Sequence, residues 1–175
     1  PDSVTKIDRY AFSGCTSLKE VTIPDSVTEI SDTAFRGCTS LTAINVDEYN
    51  MDYISVDGVL FHLWKGQCLA YPAGKTNTSY TIPNSVTWID GSDSFTGSVT
   101  EISDYAFSGC TSLTAINVDG NNTIYKSVDG VLFSKDMTTL KLYSDAKINA
   151  SYAIPDGVTE IGFSAFSGCT SLTKV

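Results

Sequence analysis

Cysteine is the residue whose type and spacing first suggest chemistry in this chain. Cys15, Cys38, Cys110 and Cys169 occupy one slot of a recurring octapeptide: "AFSGCTSL" at 11–18, 106–113 and 165–172, and "AFRGCTSL" at 34–41. Cys68 lies outside it. A zinc site calls for close-spaced pairs such as C-x-x-C. The chain has no such pair, and His62 is its one histidine. A Cys68–His62 dyad is conceivable, but a surface-exposed loop histidine is the favoured reading. A Ser–His–Asp triad would need the same His62 and lacks a nucleophile elbow.

Other chemistry is equally thin. Glu29, Glu101 and Glu160 recur at equivalent positions, which favours solvated faces over a glycosidase acid–base pair. "VDEYNMD" (46–52) gathers Asp47, Glu48 and Asp52, but the second copy "VDGNNTI" keeps only Asp119, and the spacing of a calcium loop is absent. No glycine-rich phosphate cradle appears. The sequons at Asn77, Asn121 and Asn149 read as Thr/Ser-rich loops. No enzyme activity, metal or cofactor is expected.

A catalytic site is built once, so a segment written four times points to architecture. "PDSVTKIDRYAFSGCTSLKEVTI" (1–23) is followed by "PDSVTEISDTAFRGCTSLTAINV" (24–46), a period of 23 residues within the leucine-rich-repeat window. A longer period of 72 relates "YISVDGVLF" (53–61) to "YKSVDGVLF" (125–133) and "SYTIPNSVT" (79–87) to "SYAIPDGVT" (151–159). The block 27–98 is thus duplicated as 99–170, each copy carrying an insert, about 47–78 and 119–150. Between them "SVTWIDGSDSFTG" (85–97) reads as a compressed partial rung, because Val86 and Val99 are only 13 residues apart.

Each rung reads as two short strands and a corner. In "LKEVTI" (18–23) Val21 and Ile23 point inward and Thr22 outward, by the two-residue period of strands. "SVTEI" (26–30) is the second strand. Ala34 and Phe35 supply core at the corner, and Gly37 permits a backbone form costly to other residues. Such a rung cannot bury its own apolar edge, whereas stacked rungs share one core. Cys68 aligns with Leu140, so these cysteines read as small core residues. In-register side chains on strands about 4.8 Å apart exceed the ~3.5–4.5 Å Cβ separation of a disulfide, which favours a ladder of reduced thiols. In the inserts, Asp57-Gly58 is a hairpin signal, "HLWKG" (62–66) a second turn and "QCLAY" (67–71) a third strand. Alternatively, Asp57-Gly58 and Asp129-Gly130 are corners of an oversized rung whose "CLAY" and "LKLY" join the main sheet.

"IPDSVTEISDTAFRGCTSL" is similar to the consensus of the BspA-like, or Treponema-type, leucine-rich repeats, and the "YKSVDGVLF…TTLKLY" insert resembles their recurring companion. The resemblance covers almost the whole chain. It implies a parallel β-solenoid, found in large secreted or surface-attached proteins of mouth- and gut-dwelling bacteria, some implicated in adhesion. The expected fold is mainly β: one right-handed leucine-rich-repeat solenoid over 1–175, with about 23-residue rungs, short turns or helical corners, and two β-hairpin inserts. The chain starts and stops inside repeats, so flanking sequence of a larger protein is expected.

Composition narrows the partners. Hydrophobic residues make up 42% of the chain and the formal net charge is −9. That argues against nucleic acid, which needs a basic patch, and against anionic membranes. No apolar run nears the roughly 20 residues of a membrane span. The expected role is a non-enzymatic recognition or adhesion module, extracellular or at the cell surface, binding a host or bacterial surface protein or a glycan. The rivals are a structural spacer and an accessory domain of a larger enzyme. Two candidate surfaces stand out. The stacked outward positions Thr22, Asn45, Thr81, Asn117 and Ala153 would form a flat uncharged face. The unrepeated side chains Tyr49, His62, Trp64 and Trp88 would form a contact patch, since aromatic residues favour hot spots.

Overall fold

The computed structural model describes residues 3–90 and 93–175, with side chains except those of residues 88–95. The strands in chain order are β1 (Lys6–Ile7), β2 (Glu20–Ile23), β3 (Glu29–Ile30), β4 (Ala43–Val46), β5 (Tyr53–Val56), β6 (Val59–His62), β7 (Gln67–Ala70) and β8 (Ser79–Ile82). They continue as β9 (Ser85–Asp90), β10 (Asp93–Ser98), β11 (Glu101–Ile102), β12 (Ala115–Val118), β13 (Tyr125–Val128), β14 (Val131–Ser134), β15 (Thr139–Leu142) and β16 (Glu160–Ile161). Among the described residues there is no helix. The chain forms two compact units, Pro1–Lys75 with Ser85–Gly109, and Thr76–Asn84 with Cys110–Val175.

In the first unit the 23-residue period becomes a pairing register. β1 lies parallel to β3 with Lys6 opposite Glu29, and β2 parallel to β4 with Glu20 opposite Ala43. The recurring glutamates meet the side chain facing them: Glu29 binds Lys6 at 3.0 Å and Glu101 accepts from Gln67 Nε2 at 2.6 Å. The octapeptide makes the corner as a run of turns. Ser13 N donates to Tyr10 O, Cys15 N to Phe12 O and Leu18 N to Cys15 O. Its glycine sits at φ +74° in Gly14, +76° in Gly37, +78° in Gly109 and +81° in Gly168, a left-handed form that costs other residues about 1–2 kcal/mol. Corners stack by bonds between rungs. Phe12 N donates to Ala34 O and Gly14 N to Arg36 O, both at 2.9 Å. Cys38 Sγ donates to Phe12 O at 3.0 Å, and the Phe12 and Phe35 rings stack at 5.4 Å. Ile23, Val27, Ala34, Cys38, Leu41, Ile44 and Leu60 are buried in the shared core.

None of the five cysteines is joined in a disulfide. Cys38, Cys68 and Cys110 are buried and Cys169 half-buried, but Cys15 is exposed. The expectation of a buried thiol thus fails at Cys15.

The insert is an antiparallel meander, β5–β6–β7. Asp57 (φ +52°) and Gly58 (φ +78°) join β5 to β6 with two left-handed residues, as a type I′ hairpin turn requires. β7 then pairs parallel with β11. The two readings of the insert thus combine: it is a hairpin meander whose last strand also joins the rung sheet. The hairpin tip seats on β4, where Ile44 N donates to Gly58 O at 2.9 Å and Lys75 Nζ donates to Asp57 O at 2.7 Å. Tyr71 N donates to Ala106 O and Gly74 N to Leu41 O, both at 2.7 Å, so "YPAG" (71–74) takes the place of a corner.

The second unit repeats these contacts: β12–β15 start 72 residues after β4–β7, and β8 and β16 start 59 after β2 and β11. β8 and β12 pair parallel, Ser79 opposite Ala115. β13–β14–β15 form a meander whose last strand pairs parallel with β16. Ile116 N donates to Gly130 O at 3.0 Å, Lys147 Nζ to Asp129 O at 2.8 Å and Tyr143 N to Ala165 O at 2.8 Å. Val131, Phe133, Leu140, Tyr143 and Ala165 form its core.

Residues 85–97 are not a compressed rung. β9 and β10 pair antiparallel with each other, Ser85 opposite Ser98. In the first unit Gln67 faces Glu101, 34 residues on; in the second Thr139 faces Glu160, 21 residues on. The difference of 13 is the spacing from Val86 to Val99. A hairpin has been added to a complete rung strand, which resumes at Val99.

The hairpin-tip contact yields a paired test. A Cβ on Gly130 would lie 2.6 Å from Ala115 Cβ, whereas one on Gly14 meets nothing within 4 Å, at nearly the same φ. Gly14→Ala should cost about 1 kcal/mol in urea unfolding from backbone strain alone. Gly130→Ala should cost about 3 kcal/mol, strain plus overpacking. Equal losses would mean that the tip is not seated on β12.

Candidate binding surfaces

The outward strand positions come together in pairs. Thr22 lies opposite Asn45 in the β2–β4 register, and Thr81 opposite Asn117 in the β8–β12 register. Thr22, Asn45 and Thr81 are exposed; Asn117 is half-buried. Each pair belongs to its own unit. β2–β4 and β8–β12 are separate two-stranded sheets, because the tips at Gly58 and Gly130 occupy the next place beside β4 and β12. Ala153 lies in no strand; the bridge in that segment joins Ser151 to Lys174.

The second surface is the loop before β5 and the turn after β6. Asn50 builds the loop. It is fully buried, and its Nδ2 donates to Pro24 O (2.8 Å) and Val27 O (3.0 Å). Its Oδ1 accepts from Asp52 N (3.0 Å) and Tyr53 N (2.8 Å). Four partners for one amide leave the loop backbone little freedom. Asp47 Oδ1 accepts from Tyr49 N at 3.0 Å, a local turn of the kind aspartate favours. Leu63 N donates to Asp52 O at 2.8 Å, which ties the turn to the loop. Tyr49 (61% exposed), Met51 (53%) and Trp64 (59%) then stand in solvent.

His62 is not the exposed loop histidine expected from the sequence. It ends β6, a strand buried along its whole length, and is itself only 8% exposed. Its ring lies 4.9 Å from that of Tyr53, the residue facing it. Tyr53 is anchored in turn, its hydroxyl accepting from Ile30 N at 2.8 Å. His62 Nδ1 is buried without a hydrogen-bond partner. Burial, with help from Lys65, pushes the imidazole below its ordinary range, against the opposing charge of Asp52. Burial pushes the Cys68 thiol up to about 12. Cys68 faces Phe61 and His62 faces Gln67, so thiol and imidazole sit in different cross-strand pairs, and a neutral buried thiol is a poor nucleophile. Among the described residues no three His, Cys, Asp or Glu side chains are placed to hold a metal ion. The side chain of Trp88 lies outside the described residues.

Sequence reasoning passed over Met51. Its counterpart in the second copy is Thr123, so the disagreement between copies that singled out Tyr49 and Trp64 applies to it as well. The second copy's turn is polar and locks itself. Asp136, the counterpart of Trp64, accepts from Ser134 Oγ (2.7 Å), Thr138 N (3.0 Å) and Thr138 Oγ1 (2.9 Å). These bonds, the one from Ser134 first, hold its carboxyl down to about 2.

Parallel rungs at repeat register, corner turns and a mainly β composition define a leucine-rich repeat protein. The chain belongs to the BspA type leucine-rich repeat family, whose repeat matches in six copies over residues 1–57, 75–150 and 139–175. Among solved structures it is similar to the pneumococcal vaccine antigen PcpA, with 27% identity and a TM-score of 0.51 over 93% of this chain and 34% of that one. It is also similar to a leucine-rich repeat protein from Eubacterium ventriosum, at 22% identity and TM-score 0.57, covering 99% of this chain and 48% of that one. A leucine rich cell surface protein from Faecalibacterium prausnitzii matches at 24% identity and TM-score 0.56, covering 99% and 51%. The last two likenesses speak to the fold. The chain spans between about a third and a half of these proteins' lengths. No curated protein sequence matches it.

The buried histidine makes stability depend on pH. The unfolded chain takes up a proton at His62 near pH 6.5, while the folded imidazole, with its depressed pKa, resists. Stability is therefore lost as pH falls below about 6.5, because the unfolded state binds more protons there. Urea unfolding at pH 7.5 and 5.5 should show a larger drop in midpoint for the natural chain than for His62→Phe. Equal drops would contradict the burial of a neutral imidazole.

Proposed function

We propose that each unit is a stretch of right-handed β-solenoid built from about 23-residue rungs, and that the chain works as a non-enzymatic recognition module, secreted or at a cell surface. It binds a protein or glycan partner through the insert loops and the exposed strand positions. One observation carries this reading: Tyr49, Met51 and Trp64 stand in solvent, the first two on a loop fixed by the four bonds of Asn50 and Trp64 on a turn tied to that loop by the bond from Leu63 N to Asp52 O. The equivalent positions of the second insert are the polar Asn121, Thr123 and Asp136. Exposed apolar side chains on a rigid frame suit binding, since little entropy is lost when a partner docks. A spacer gains nothing from them. The surface assignment draws support from the F. prausnitzii cell surface protein and the pneumococcal antigen, both similar in fold.

An array of extracellular-matrix proteins and glycans tests the reading. The chain should bind at least one of them saturably. Binding to none would contradict recognition and leave the spacer.

A further inference from the structure

The two inserts share a backbone plan and diverge at one corner, and the divergences run together. The second insert closes its turn with Ser134, Asp136 and Thr138 bonded to one another. At those positions the first insert has His62, Trp64 and Gly66. The self-satisfied turn has been given up, and an indole stands in its place. Local preference sacrificed at one copy of a repeat marks a functional position. The register adds a neighbour. Tyr53 faces His62 and Leu63 N donates to Asp52 O, which ties the turn that carries Trp64 to the loop that carries Met51. Tyr49 is exposed two residues further on, across the buried Asn50.

Charge separates the copies in the same way. The first loop carries Asp47, Glu48 and Asp52, while the second keeps Asp119 alone. Lys65 is the one cation in the adjoining turn. Aromatic faces attract ammonium and guanidinium groups, and a surplus of carboxylates steers cations to them. A neutral glycan would use the aromatic faces but not the acids that arrived with them.

We propose that Tyr49, Met51 and Trp64, rimmed by Asp47, Glu48 and Asp52, form a docking site for a cationic segment of a partner protein, one that mixes lysine or arginine with apolar side chains. This rests on the recognition reading and names the partner's chemistry.

Calorimetric titration with a short synthetic Lys–Leu peptide tests it, beside Glu–Leu and Lys–Ser analogues. The Lys–Leu peptide should bind saturably, the others at least tenfold more weakly. Trp64→Ala should weaken binding about tenfold or more, with an unchanged far-ultraviolet spectrum. Asp136→Ala, at the matching place in the second insert, should change nothing. If Trp64→Ala does not fold, Tyr49→Ala gives the same reading from outside the turn. No saturable binding, equal affinity for Glu–Leu, or equal affinity in Trp64→Ala would overturn the site. Array binding that goes to a glycan, or that survives Trp64→Ala, would overturn it too and leave the recognition reading standing.

Discussion

A rung here cannot satisfy its own backbone, because its strands are two to four residues long and its corners are turns. The missing partners lie on the next rung. Phe12 and Gly14 donate to Ala34 and Arg36, Thr28 and Ser31 to Thr5 and Ile7, and Thr42 to Lys19. Unpaired buried backbone groups are costly, so a rung holds its shape only where another lies against it. Most other features follow. The octapeptide recurs because each corner must present the same N–H and C=O pattern to the corner above. Its glycine recurs because that pattern needs a left-handed residue.

The same constraint explains how the inserts are tolerated. A meander added to a repeat stack would leave bare edges unless it supplied partners of its own. Its third strand pairs with β11 or β16, and its hairpin tip meets Ile44 or Ile116. Asn50 closes the remaining gap by reaching back to two carbonyls of the second rung. The β9–β10 hairpin pairs its own strands with each other, so it could enter one copy of the block and not the other.

The rungs were legible because near-identical copies announce their own period, and the type I′ turns because Asp-Gly between apolar runs has few other uses. The added hairpin was not, since counting Val86 to Val99 gives the same 13 residues whether a rung is shortened or lengthened. Only the parallel partners Gln67–Glu101 and Thr139–Glu160 separate the two. The partners of the outward polar positions were not legible, because an alternating strand shows which side chains point outward but not which strand lies beside it. His62 was misplaced for a related reason: β6 is the middle strand of its meander and is covered on both faces, which a turn-flanked "VLFH" does not reveal. Disagreement between copies picked out Tyr49 and Trp64, which stand exposed, and His62, which does not, and the same criterion extends to the exposed Met51.

The proposed binding positions sit where repetition lapses, on a frame that repetition builds. If rungs exist by bonding to one another, corner amides should be as protected as strand amides. Native-state hydrogen exchange of Phe12, Gly14 and Tyr71, turn or loop residues that donate to the neighbouring rung, tests this directly. They should exchange as slowly as the amides of β4 and far more slowly than Ser13, whose bond stays within its own turn. Exchange of Phe12, Gly14 and Tyr71 at the rate of Ser13 would contradict the account.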